Sequence, residues 1–69
     1  MNYRDFVAIL ESRGFVLERQ RGSHRIYKGQ AGGRVRIVVV AFHGEGADIR
    51  LGTLASMIRQ SGLPKKLFR

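Results

Sequence analysis

The chain has 69 residues, no cysteine, and a net charge of +8 from 13 basic and five acidic side chains. That length holds one domain (1–69) with a small core, and the absence of thiols excludes disulfides and thiolate metal sites as staples. No run approaches the ~20 apolar residues that span a bilayer, and the first residues lack a signal peptide's apolar stretch, so a soluble cytoplasmic protein is expected.

Asn2 is placed to cap a helix, and Asp5 suits the positive end of its first turn. Tyr3, Phe6, Val7 and Leu10 recur at helical spacing, and Gly14 is a natural residue to follow the last turn. A first helix over 3–13 is predicted. "FVLERQ" (15–20) and "HRIYK" (24–28) read as strands joined by a tight turn through Gly22. "GQAGG" (29–33) reads as a loop. "RVRIVVVA" (34–41), dense in β-branched residues, is the strongest strand signal. "FHGEGADIRLG" (42–52) reads as an irregular connection in which Glu45 and Asp48 are solvated. A second helix starts near Thr53, shows Leu54, Met57 and Ile58 on one face, and ends at Gly62, with Leu63 packing back. Pro64 introduces a last short turn. The predicted order is α-β-β-β-α, an α+β fold with two helices covering one face of a three-stranded antiparallel meander.

The cations are not spread evenly. Residues 16–36 carry Arg19, Arg21, Arg25, Lys28, Arg34 and Arg36 against Glu18 alone, and residues 59–69 carry Arg59, Lys65, Lys66 and Arg69 with no acid. Ten of the 13 cations are arginine, whose planar fork matches phosphate. Clustering of this kind predicts a polyanionic partner, nucleic acid first; the plainer alternative is a solubilising surface. Aromatic stacking platforms are poorly supported, because Tyr3, Phe6 and Phe15 read as core.

"RQRGSHRIYK" (19–28) places His24 inside the densest basic run. A first hairpin turning about Arg21–Gly22 sets His24 opposite Arg19, Ile26 opposite Leu17 and Lys28 opposite Phe15. Strand alternation then puts His24, Ile26 and Lys28 on one face, with Ile26 under the helices and His24 at the end of that face; a bulge would reverse this. The second hairpin sets His24 near Val38, which leaves the other histidine, His43, about 16 Å away at strand rise. His43 therefore reads as a structural or surface residue. Two separated histidines do not make a metal ligand set, so neither metal nor other cofactor is expected.

"GF" at 14–15, "RQRGSHRIYK" at 19–28, a hydrophobic third strand leading to "FHG" at 42–44, and "GTLASMIRQSGL" at 52–63 together resemble the HicA toxin family. The element order is also that of the double-stranded-RNA-binding domain. The resemblance implies an endoribonuclease acting on messenger RNA (an mRNA interferase), paired with a HicB-type antitoxin protein. It places the family's catalytic histidine at His24, between Ser23 and Arg25. The chain departs from the family's pattern at Ala41, where a proline is common. Arg19, Arg21, Arg25, Lys28, Lys65 and Lys66 are the expected RNA contacts. Ser23 either donates to a phosphate oxygen or completes the turn. Two other readings compete: a non-catalytic RNA-binding module on the same basic surface, and a protein-binding subunit with the apolar third strand as a docking edge.

Overall fold

The computed structural model describes residues 1–44 and 46–68. Glu45 and Arg69, read above as a loop carboxylate and the last cation of the basic tail, lie outside them. Helix α1 spans Tyr3–Ser12, strands β1, β2 and β3 span Val16–Arg21, His24–Ala31 and Arg34–Ala41, and helix α2 spans Leu51–Ser61. A terminal 3₁₀ turn, Lys65–Phe68, closes the order. The sheet is an antiparallel meander, β1-β2-β3, and the fold is α-β-β-β-α as predicted.

Local chemistry accounts for most boundaries. The Asn2 side chain accepts from the Asp5 amide at 2.8 Å, satisfying one of the open N–H groups of α1. Gly62, at φ 67°, ends α2 in the left-handed region. Helix α2 begins two residues before the expected Thr53, at Leu51, after Arg50, which makes no side-chain cap. The glycine-rich "GQAGG" does not form a loop. Gly29, Gln30 and Ala31 continue β2, and the turn shrinks to Gly32–Gly33, both at positive φ, as a type I′ hairpin needs.

Gly29 has a packing reason to lie in a strand. A Cβ there would sit 2.6 Å from Cγ of Phe15, so the missing side chain makes room for that buried ring. One core cluster gathers Tyr3, Phe6 and Leu10 of α1, Phe15, Tyr27 of β2, Val38 and Val40 of β3, Ile49, Met57 of α2, and Phe68. Phe68 stacks on Phe6 at 5.0 Å, which pins the terminal turn to α1. Each such side chain contributes about 1.5–3 kcal/mol by leaving water. Ser61, also fully buried, is satisfied: its hydroxyl donates to the Ile58 carbonyl at 2.7 Å and accepts from the Leu63 amide at 3.1 Å.

Two expectations about the sheet are corrected. The first turn is Gly22–Ser23, not Arg21–Gly22, so His24 pairs with Arg21 rather than Arg19. The same turn sets Ile26 opposite Arg19, and a bulge between Leu17 and Arg19 then shifts the register again, so that Lys28 lies opposite Val16. The second correction concerns the faces. His24, Ile26 and Lys28 do share one face, but it is the open one. Tyr27, 2% exposed, is the β2 residue packed under the helices, alongside the fully buried Val38 and Val40. A tyrosine ring and two valines fill that layer better than Ile26 and the short-range basic residues around it.

Candidate active site

His24 is the first residue of β2 and is exposed. Gly22, at φ 58°, occupies the first central position of a two-residue turn, where a side chain would be strained. The reversal it permits sets His24 between Arg21 on β1 and Ala41 on β3. The imidazole is exposed and makes no hydrogen bond to a described residue.

Around it the open face has a basic rim and an apolar middle. Arg19 and Arg21 flank His24 along β1, both exposed. Lys28 lies further down β2 and meets Glu18 at 3.5 Å, with both side chains about half exposed. Such a pair adds little stability and is readily exchanged for a phosphate. Val16, Val35, Ile37 and Val39 remain 41–61% exposed, an unusual share of aliphatic surface for three short strands.

Arg25 and Ser23 behave differently from a simple phosphate clamp. Alternation turns Arg25 away from His24, and its guanidinium lies 3.8 Å from the centre of the Phe42 ring. Its Nε is buried with no hydrogen-bond partner among the described residues. That stack borders a cleft of about 370 Å³ between α1 and the sheet, lined by residues including Val7, Leu17 and Tyr27. The Ser23 carbonyl accepts from the Phe42 amide at 2.7 Å, while its hydroxyl makes no bond to a described residue. Lys65 and Lys66 are not brought to this site. They follow Gly62, which abuts Arg36; Arg36 pairs with Gly29 near the opposite end of the sheet.

The placement of His43 is corrected. His24 pairs with Ala41 and not with Val38, so His43 stands only two residues past the paired position. Both histidines are at the same end of the sheet. The shift follows from the longer β2–β3 ladder, which runs from the Gly32–Gly33 turn without interruption. Sequence reading also missed Phe42 as the platform under Arg25. The "AFH" run after a β-branched strand was the available signal, since alternation there sends Phe42 to the Arg25 side. Among the described residues, no group of three or more His, Cys, Asp or Glu side chains is placed to hold a metal ion.

Fold and site together define a small, strongly basic α+β protein that presents an exposed histidine at a hairpin end among arginines. The sequence-family model described as the HicA toxin of bacterial toxin–antitoxin systems matches residues 3–63, and the chain belongs to that family. No curated protein and no solved structure matches it. Its role is thus that of a toxin in a toxin–antitoxin system. No helix among the described residues is long and apolar enough to cross a membrane.

Proposed function

We propose that the protein acts in the cytoplasm, as one domain over residues 1–69, by binding messenger RNA and cleaving it with His24 as a general acid/base. The observation that carries this reading is the His24 imidazole itself: exposed, without a hydrogen bond among the described residues, and set between Arg21 and Ala41 at the end of the sheet. Imidazole titrates near neutrality and can take a proton from an attacking oxygen or return one to a departing oxygen. Arg19 and Arg21 stand where they can fork onto the phosphate and offset the charge that grows on its oxygens. Ser23, whose hydroxyl has no partner among the described residues, is a further donor to a phosphate oxygen beside His24.

A HicB-type antitoxin holds this activity in check. Family membership supports a partner of that kind, and the basic rim attracts an acidic one. The competing docking-edge reading is weakened, because the Gln60 side chain already accepts from the Val39 amide on the outer edge of β3, at 3.0 Å. Expression in growing bacteria tests the proposal. The wild-type chain should arrest growth, and His24→Ala should relieve the arrest at equal protein level. Full arrest by a folded His24→Ala chain would remove His24 from the mechanism.

A further inference from the structure

Phosphodiester cleavage needs one group to take a proton from the attacking oxygen and another to supply one to the departing oxygen. His24 provides one imidazole. The chain holds just one other, His43.

The sheet delivers His43 to the same corner. His24 pairs with Ala41, and the Phe42 amide donates to the Ser23 carbonyl at 2.7 Å, so the two segments stay joined up to the residues beside both histidines. Paired Cα atoms lie about 5 Å apart, and two further residues add at most about 7 Å, which puts the His24 and His43 backbones within roughly 12 Å. Two side chains reaching inward from that separation can bracket one phosphate. A cleft of about 340 Å³ opens at this corner, lined by Tyr3, Ala41, His43, Asp48, Arg50 and Thr53. Ala41, one of its lining residues, is the residue paired with His24 on the neighbouring strand. The Tyr3 ring stands edge-on to the His43 ring, 6.1 Å between centroids at 75°, and orients it at the cleft mouth. Asp48 and Arg50 both line this cleft, so His43 has a carboxylate in its own pocket that is suited to accompany an imidazolium, whereas the strand neighbours of His24 include Arg21 and no carboxylate.

We propose that His43 is a second catalytic residue, the general acid to His24 as general base; this rests on the reading of the protein as an RNA-cleaving toxin. His24 takes the proton of the attacking hydroxyl, and that oxygen bonds to phosphorus. The bond from phosphorus to the 5′ oxygen of the next nucleoside breaks, its electron pair stays on that oxygen, and His43 delivers its proton there. The released end is a 5′-hydroxyl, and the phosphate remains on the other fragment. The departing nucleoside occupies the cleft between Ala41 and Thr53, whose size is at the lower end for ligand sites.

The test compares an RNA oligonucleotide carrying the natural linkage with one carrying a bridging 5′-sulfur at the scissile bond, a leaving group that departs without a proton. Two variants are used, His43→Ala and His43→Gln, the second keeping bulk against Tyr3. Both should cut the natural linkage at least about a hundredfold more slowly and lose the alkaline fall of the pH–rate profile. Both should cut the sulfur linkage at close to the wild-type rate, while His24→Ala stays slow on both substrates. His43 variants as fast as wild type on the natural linkage, or equally impaired on the two linkages, would overturn the assignment. A wild-type chain inert on both substrates would bring down the RNA-cleaving reading itself, and this inference with it.

Discussion

His24 owes its exposure to the two residues before it. Gly22 turns the chain in the left-handed region, Ser23 completes the loop, and the imidazole emerges on the first paired residue of β2. A Cβ at Gly22 would meet nothing within 4 Å, so Gly22→Ala costs only backbone strain, about 1–2 kcal/mol. Gly29 is the opposite case. Its backbone is ordinary, but a Cβ would strike the Phe15 ring at 2.6–2.8 Å, and that ring is fully enclosed. Gly29→Ala should therefore destabilise by about 1–3 kcal/mol through overpacking. Thermal unfolding checks both, since about 1 kcal/mol shifts the midpoint of so small a domain by roughly 4–8 °C. A Gly29→Ala midpoint equal to wild type would mean that Phe15 has somewhere else to go. Arg25 shows the limit of reading single residues from sequence. Its charge and its place beside His24 are plain there, but the Phe42 ring beneath it comes from the residue just past β3, seventeen positions later.

At the scale of elements, the helices and strands were legible and their alignment was not. The Tyr3–Phe6–Leu10 stripe and the β-branched run at 34–41 carry their own periodicity, so α1 and β3 could be placed within a residue or two. Register carries no such local signal. Moving the first turn by one residue and adding a bulge at Leu17/Arg19 changed every partner of β1. The same weakness hid His43, whose distance from His24 depends on where the Gly32–Gly33 turn folds. An element-level consequence concerns α2, whose Gln60 covers the β3 edge at Val39. Gln60→Ala exposes that amide and should make the protein more prone to self-association at unchanged helicity. Light scattering against concentration reads this; a monodisperse variant would show that the bond does no protective work.

Across the whole molecule, charge is divided between two ends. The hairpin cations surround His24, while Lys65 and Lys66 lie near the opposite end of a body 31 Å in its longest dimension. We expect RNA affinity to fall steeply with salt, and Arg19→Ala or Arg21→Ala to flatten that slope by about one unit each. Lys65→Ala and Lys66→Ala should weaken long RNA and leave an oligonucleotide of a few bases unaffected. Equal losses on both lengths would mean that the tail lysines reach the cleavage site after all. The open face adds a second expectation. Its aliphatic middle and cationic rim suit an acidic partner with an apolar centre and disfavour a second copy of this chain, whose like charges would meet. An antitoxin complex should bury His24 and slow hydrogen exchange along the β1–β2 hairpin. A complex that leaves His24 open and still binds RNA would place inhibition elsewhere.

Whether His24 carries out RNA cleavage is decided with purified protein. Wild type and His24→Ala are matched by circular dichroism and by melting temperature, which should agree within about 1 kcal/mol of stability because an exposed imidazole is all that is lost. Cleavage of a messenger RNA is then followed with and without EDTA. The wild type should yield fragments in both conditions and His24→Ala none. Fragments from the variant at the wild-type rate, or wild-type activity abolished by EDTA and restored by one particular cation, would contradict it.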